Sequence, residues 1–133
     1  MYKVISIQRS GSFAVGWKHS HSHQCGHYGD SVLRFDVDIR GFVFEMGPDG
    51  WLCDNNEITS YFVNKYQEVK DFLTCEHIAR VAVHDMRVIV QKNKSFPRYI
   101  RVSISGIEHS TITVRWAEPP IEAMEQWAIL LMS

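Results

Sequence analysis

Four histidines and a cysteine alternate within one short stretch of this 133-residue chain. The alternating residues are His19, His21, His23, Cys25 and His27. On an extended segment they would all project to one face. Imidazole and thiolate are ligands that zinc accepts, but same-face side chains of one strand lie nearly in line, so a tetrahedral site would need further ligands from elsewhere. A solvated, histidine-rich loop is the alternative interpretation.

The same stretch offers a nucleophile, because nearby imidazolium groups could lower the pKa of the Cys25 thiol. The alternative is inert packing. Cys53 and Cys75 flank predicted helix starts, where the helix dipole can also lower a thiol pKa and where burial is equally compatible with the pattern. The three cysteines are far apart and form no C-x-x-C pair. We therefore expect free thiols in a reducing compartment.

A further candidate is Glu108, which follows the apolar end of a predicted strand. A carboxylate at a strand end can accept paired N–H donors from the amidine-like edge of a heterocycle such as a pterin or a purine. An exposed turn residue is the alternative interpretation of this position.

These candidates must be positioned by elements that the hydrophobic periodicity predicts. Apolar side chains alternate with charged ones over 32–40, which is the pattern of a half-buried strand. A preceding strand is expected at 4–7 and 12–18, with a bend or a bulge at 9–11.

After this strand the apolar period changes to three and four residues, which predicts two helices. The first runs over 55–71 and starts with a capping-box pattern of Asp54 and Glu57. The second has Thr74 as its N-cap and Glu76 in its first turn. Its inward-facing residues are expected to be Ile78, Val81, Ala82 and Val88 or Ile89.

Two further alternating runs, 99–105 and 111–116, predict a hairpin, and Pro119 and Pro120 open a predicted C-terminal helix. Two successive helices between two hairpins indicate an α+β fold with an antiparallel sheet. No repeat or linker divides the chain, so we expect a single domain.

Charge and hydropathy exclude several classes of protein. The chain has 14 Lys and Arg against 15 Asp and Glu and a pI near 6.6, so it lacks the basic footprint of a nucleic-acid binder. No apolar run reaches the roughly 18 to 20 residues of a membrane helix, and the N-terminus has no signal-peptide pattern. We therefore expect a cytoplasmic protein with neither nucleic acid nor membrane as a partner.

Four motifs, in this order, resemble those of the 6-pyruvoyltetrahydropterin and 6-carboxytetrahydropterin synthase family. Residues 25–31 lie without gaps on the family's C-G-x-x-H-G-H motif, which precedes an alternating strand that ends in glycine. Residues 49–54 and 74–79 resemble the starts of the family's first and second helices. Residues 107–110 fall where the family has V-x-E-T after its third strand.

The resemblance covers residues 8–116 and implies the family's tunnelling (T-) fold. The expected α+β domain, 1–118, has an antiparallel four-stranded sheet with two helices between the hairpins, and a C-terminal helical extension follows at 119–133. The family also implies a homo-oligomer, a trimer or a hexamer, in which sheets join edge to edge. Strands with unpaired edges need such closure.

The resemblance further implies a pocket for a small pterin- or purine-like ligand. Cys25 takes the position of the family's proton-donating or nucleophilic thiol, and Glu108 takes that of its pterin anchor. Thr74, Cys75 and Glu76 match the helix start that helps to line the family's pocket.

The sequence departs from the family at its zinc site and at its proton relay. The family binds catalytic zinc through three histidines, and the aligned positions hold Trp17, Gly29 and Ser31, none of which replaces an imidazole. The family's Asp-His relay between the helices is absent as well, because 69–73 runs directly into Thr74.

A shifted register would restore a metal site and would keep zinc as a cofactor. In that register Cys25-Gly26-His27 replaces the H-G-H motif, and His19 or His21 supplies the third ligand.

Two functional hypotheses follow. The first is a divergent synthase-like protein that binds a pterin or purine and has impaired or altered catalysis, since the metal that polarises oxygen atoms in this chemistry is lost. The second is a non-catalytic binding or inhibitor protein that sequesters a nucleotide-like ligand or caps a protein partner through the apolar segment 119–133.

Overall fold

Alternating side chains build one four-stranded antiparallel sheet, ordered β1-β2-β3-β4. The structure is a computed structural model and describes residues 3–16, 31–67, 74–106 and 111–118. The strands are β1 (Val4–Val15), β2 (Ser31–Phe42), β3 (Tyr99–Ser105) and β4 (Thr111–Ala117). The α+β class and the antiparallel four-stranded sheet predicted from the sequence are confirmed.

Two helices and a short 3-10 turn lie between the hairpins: the turn Val43–Glu45, α1 (Asn55–Lys65) and α2 (Cys75–Lys92). The Asp54 carboxylate accepts a hydrogen bond from the Asn56 N–H at 2.8 Å, and the Glu57 carboxylate accepts one from the Asp54 N–H at 3.2 Å. The Thr74 hydroxyl accepts from the His77 N–H at 3.1 Å. Both predicted N-caps are confirmed.

Both helices cover the same face of the sheet, α1 against β1 and α2 against β3 and β4. The largest fully buried side chains include Phe35, Ile39, Phe62, Ile78, Met86 and Ile100. The rings of Phe35 and Phe62 stack with their centroids 4.4 Å apart and so join β2 to α1. Each such side chain contributes about 1.5–3 kcal/mol by leaving water.

β1 is one continuous strand, so the predicted bend or bulge at 9–11 is wrong. Each residue from Val4 to Val15 pairs with one residue of β2 without a break in register. Gly11 lies opposite Phe35, and a Cβ at this position would come within 2.8 Å of the Phe35 ring. The glycine therefore makes room for a core ring and does not turn the chain.

α1 is shorter than the predicted helix over 55–71. It ends at Lys65, and Tyr66 has left the helical conformation with φ −108° and ψ 16°. The Tyr66 carbonyl accepts a hydrogen bond from the Gly16 N–H at 3.0 Å, which ties the end of the helix to the end of β1. No helix in the described ranges is long and apolar enough to cross a membrane.

The buried stripe of α2 follows the prediction only in part. Buried as predicted are Ile78 and Ala82, whereas Val81 is half-buried. Val88 is 38% exposed, and Ile89 is half-buried. The core positions of this turn are occupied by Met86 and Val90, both fully buried. Because residues four apart share a helix face, burying this pair places Val88 on the outer side.

Candidate functional site

The antiparallel register gathers four strand termini at one end of the sheet, the site end. Val15, the last residue of β1, pairs with Ser31, the first of β2. Ser105, the last residue of β3, pairs with Thr111, the first of β4. The connections from β1 to β2 and from β3 to β4 therefore both begin and finish at the site end.

Both helices also have one terminus at the site end. The carbonyl of Tyr66, directly after α1, is bonded to Gly16, directly after β1. The C-terminus of α2 lies at the opposite end, where the Asn93 side-chain amide donates to the Leu52 carbonyl at 3.2 Å. Because α2 packs along β3 and β4, its first residues, 74–76, lie toward the site end.

The chain segments that carry the predicted site residues are therefore all attached at the site end. Of those residues, the structure describes Thr74, Cys75 and Glu76, and it describes Ser31 as the first residue of β2. The remaining predicted positions lie outside the described residues: Trp17, His19, His21, Cys25, His27, Gly29 and Glu108.

The three described residues at the start of α2 have structural roles. The Thr74 hydroxyl caps the helix. Cys75 is buried, 2% exposed, and is disulfide-bonded, so the expectation of three free thiols is wrong for this residue. Glu76 is exposed and lies 3.9 Å from Arg80 in a surface ion pair of small energetic weight. Within this triplet, Glu76 is exposed, Thr74 is half-buried and Cys75 is buried.

Cys53 is a free cysteine and is buried. Burial, followed by the negative charges of Glu57 and Asp54, raises the pKa of its thiol to about 12. Of the two alternatives for this position, an activated thiol and a buried one, the structure supports burial.

A row of polar side chains crosses the sheet on the face that the helices leave open. In register across the strands, the row consists of Ser12, Arg34, Ser105 and Thr111. These residues help to line a cavity of about 540 Å³ at the site end. Arg34 is exposed, and within the described residues no carboxylate pairs with it. One guanidinium beside three hydroxyls is suited to a ligand's anionic oxygen atoms.

In the neighbouring polar row, the side chains already form hydrogen bonds with other side chains of the sheet. Asp36 accepts hydrogen bonds from the Ser10 hydroxyl at 2.9 Å and from Arg101 Nη2 at 2.8 Å. The hydroxyl oxygens of Ser103 and Thr113 lie 2.8 Å apart. Because its carboxylate is already engaged, Asp36 leaves the guanidinium of the first row uncompensated.

Arg34 was not among the residues predicted to bind a ligand. In the sequence it is one of several charged residues on the outward face of a strand. The signal that distinguishes it is its position between Ser12 and Ser105. That signal depends on the pairing of strands distant in sequence.

The aligned zinc positions do not fit a zinc ion. Ser31 is the one that the structure describes, and a serine hydroxyl is not among the usual protein ligands of zinc. In the ranges that the structure describes, no three His, Cys, Asp or Glu side chains come together as a metal site. The histidines of the shifted register lie outside those ranges, so that register stays a prediction.

A separate polar cluster links α1 to α2 through hydrogen bonds. The Tyr61 hydroxyl and the Lys65 ammonium both donate to Asp85 Oδ2, at 2.5 Å and 2.8 Å. Burial acts to raise the pKa of Asp85, but the hydrogen bonds from Lys65 and Tyr61 outweigh it and hold this pKa below its ordinary value. Burial, with the Asp85 hydrogen bond, raises the pKa of Tyr61. Neither group changes its protonation near neutral pH, so the cluster is structural.

No protein-family model matches the sequence, and no curated protein matches it. A catalytic-residue variant of 6-pyruvoyltetrahydropterin synthase from Plasmodium vivax matches with a TM-score of 0.58 and 11% identity, over 87% of this chain and 99% of that one. The chain has the fold of this synthase.

The synthase from Plasmodium falciparum gives a TM-score of 0.52 at 14% identity, over 88% of this chain and 99% of that one. The tunnelling fold that the sequence motifs implied is therefore confirmed. At these identities the agreement is one of fold. The assignment of a role to each residue then rests on the geometry of this chain.

Proposed function

We propose that this chain is a divergent protein of the 6-pyruvoyl- and 6-carboxytetrahydropterin synthase type, with a pterin- or purine-like ligand and impaired or altered catalysis. One observation carries the proposal. In a sheet with the synthase fold, the segments that hold Cys25 and Glu108 and the helix start at 74–76 are all attached at the site end. This is the convergence that a ligand pocket assembled from distant segments requires.

Glu108 is the proposed anchor of the heterocycle. It follows Ser105 by three residues, a reach of about 10 Å along an extended chain, and so belongs to the connection beside the polar row. A carboxylate selects a ligand edge with two adjacent N–H donors. Arg34, in turn, favours a negatively charged substituent. The two groups together favour a heterocycle that carries an anionic side chain.

The change in catalysis follows from the replaced zinc positions. A Lewis acid that polarises oxygen atoms supplies several kcal/mol of transition-state stabilisation in chemistry of this kind. Each ~1.4 kcal/mol lost slows a reaction about tenfold. A site with Trp17, Gly29 and Ser31 in place of three imidazoles therefore favours binding over turnover.

A homo-oligomer, trimeric or hexameric, is part of the proposal. β1 and β4 are the edges of the four-stranded sheet, and edge strands are commonly closed by pairing with another strand. Light scattering is expected to give three or six times the 15.4 kDa of one chain. A monomer at micromolar concentration would contradict this part.

The function is tested with full-length protein purified without a histidine tag. Metal analysis is combined with turnover of dihydroneopterin triphosphate and with calorimetric binding of the same compound, of a pterin and of a purine. We expect binding, substoichiometric zinc and little product. Stoichiometric zinc together with product would overturn the proposal of altered catalysis. Absence of binding to both pterins and purines would overturn the proposed class of ligand.

Two variants sharpen this test. Glu108→Gln keeps the size of the side chain but replaces one acceptor oxygen by a donor, and we expect binding to weaken by at least about tenfold. Glu118→Gln makes the same chemical change at the opposite end of the sheet and is expected to leave binding unchanged. Equal effects of the two variants would show that Glu108 is no anchor.

The alternative is a non-catalytic binding or inhibitor protein. Tight ligand binding without product, at every zinc concentration tested, would favour sequestration over catalysis. Retention of a cellular protein that is lost on deletion of 119–133, with no affinity for pterins, would favour the capping role.

A further inference from the structure

Three large apolar side chains stand half exposed at the end of the sheet opposite to the site end. These residues, the far-end patch, are Val43 (47% exposed), Trp51 (47%) and Phe96 (49%). Phe44 borders the patch and stacks on Phe42 with ring centroids 5.4 Å apart. Clustered exposure of this kind marks a contact surface, whereas single exposed apolar residues need no explanation.

Buried hydrogen bonds hold the far-end patch in a fixed shape. Ser95, which is 1% exposed, accepts from the Gly47 N–H at 2.7 Å and donates to the Trp51 carbonyl at 2.8 Å. The Phe96 N–H donates to the Glu45 carbonyl at 3.1 Å. Three chain segments are thereby clamped together. Such a preorganised surface loses little conformational entropy when it is covered.

The chain leaves the sheet beside this patch. Glu118, the residue after β4, donates its N–H to the Arg98 carbonyl at 3.0 Å. Phe96 precedes Arg98 by two residues, which is about 7 Å of extended chain. The segment 119–133 therefore begins next to the far-end patch.

The composition of this segment suits an apolar surface. It contains no Lys or Arg, and its apolar residues at helical spacing are Ile121, Met124, Trp127, Ala128 and Leu131. A helix of twelve residues spans about 18 Å, enough to cross a patch of three side chains. If these groups stayed in water, they would form a second exposed apolar surface.

The other described surfaces suit the segment less well. The helix-facing side of the sheet is already filled, with Val37 and Val102 fully buried. The open face carries exposed cationic side chains such as Arg34 and Arg115, which would be costly to cover with apolar side chains. The remaining large apolar residues that are exposed in the described ranges are Val32, Val63 and Val88.

We propose that the segment 119–133 folds back and docks its apolar side on the far-end patch of its own chain. Docking within the chain is favoured because the short tether keeps the segment at a high effective concentration near the patch.

Photo-crosslinking tests the occupant directly. A benzophenone amino acid replaces Trp51 in the full-length protein, and equal amounts of ¹⁴N- and ¹⁵N-labelled protein are mixed before irradiation. The proposal expects crosslinked peptides that join position 51 to 119–133 with a single isotope label. Mixed-label crosslinks to 119–133 would assign the patch to a second copy, and absence of crosslinks to this segment would also overturn the proposal.

Hydrogen exchange provides an independent measurement. Phe96→Ser is expected to raise the exchange rates of the 119–133 amides about tenfold, since it removes a large part of one aromatic contact. Val63→Ser, which alters an exposed apolar residue of α1, is the matched control and is expected to leave those rates unchanged. Full exchange of 119–133 in the unsubstituted protein at the earliest times, or equal effects of both variants, would overturn the proposal.

Discussion

Arg40 turns back along β2 and binds the carboxylate of Asp38, with Nη2 2.9 Å from Oδ2 and Nε 3.2 Å and 3.3 Å from the two oxygens. The Asp38 side chain is 1% exposed and that of Arg40 is 16% exposed. The guanidinium also lies over the Tyr99 ring, 5.1 Å from its centroid. A buried carboxylate on the sheet face away from the helices therefore depends on a cation from its own strand.

Replacing Arg40 should destabilise the protein more than replacing both members of the pair. Arg40→Met leaves Asp38 buried beside an apolar side chain, and we expect a loss of about 3 kcal/mol in the free energy of unfolding. The double variant with Asp38→Asn should recover part of this loss, because no uncompensated charge remains. Urea denaturation measures both. Equal losses of unfolding free energy in the single and the double variant would contradict this expectation. Arg115→Met, on the exposed side of β4, is the control.

Gly11→Ala should destabilise the core although the residue lies in a strand. The added methyl would meet the Phe35 ring at 2.8 Å, and this ring cannot withdraw because it is stacked on Phe62. Overpacking of this type costs about 1–3 kcal/mol. Thermal and urea unfolding measure the change, and Ser6→Ala on the exposed face of β1 is expected to stay within about 0.5 kcal/mol. An unchanged Gly11→Ala midpoint would show that the strand can shift.

Stability should fall in acid through Asp85. Burial acts to raise the folded-state pKa of this carboxyl group, but the hydrogen bonds from Lys65 and Tyr61 outweigh burial and lower it. The stabilisation is therefore present above the unfolded-state pKa of about 3.9 and is lost as the pH falls through the lower folded-state value. Asp85→Asn should reduce the slope of unfolding free energy against pH below about pH 4. An unchanged slope, relative to the exposed control Asp49→Asn, would contradict this.

Cys53 should be unreactive in the folded protein. Its pKa of about 12, raised by burial and by the nearby carboxylates, leaves almost no thiolate at pH 8. We expect iodoacetamide to modify Cys53 only after denaturation, as measured by mass spectrometry of the peptide that contains it. Modification of the native protein at the rate of the unfolded chain would show that this region opens freely.

Arg34→Gln should weaken binding only for ligands that carry an anionic group. If the polar row binds such a group, the affinity for a phosphorylated pterin should fall about tenfold, the size expected for an exposed charge-assisted contact. The affinity for the unphosphorylated pterin should stay the same. Arg115→Gln, a cation on the same face of the outer strand β4, is the control. Equal losses for both ligands would remove the proposed anion site.

The periodic elements could be predicted from the sequence. The alternation at Leu33, Phe35 and Val37 reflects burial of one face of β2, which is a local property of the strand. The caps at Asp54 and Thr74 are equally local, because each bonds to a residue within three positions. Because these signals are local, the sequence predicts which elements exist and whether each is a helix or a strand.

The bounds and partners of the elements depended on contacts that the sequence does not display. The glycine in β1 suggested a turn at 9–11, but packing of Phe35 over Gly11 keeps the strand extended. α1 ends where Tyr66 meets Gly16. Both outcomes follow from residues more than twenty positions apart.

The sequence by itself determined the α+β class, the two hairpins and the helix starts, because the hydrophobic period and the capping groups act within a few residues. Only the tertiary structure decided that Cys53 is a buried thiol and that Ser12, Arg34 and Ser105 form one row. Those properties arise from strand register and from layer packing, which join residues far apart in the chain. The direction of 74–76 toward the site end has the same origin.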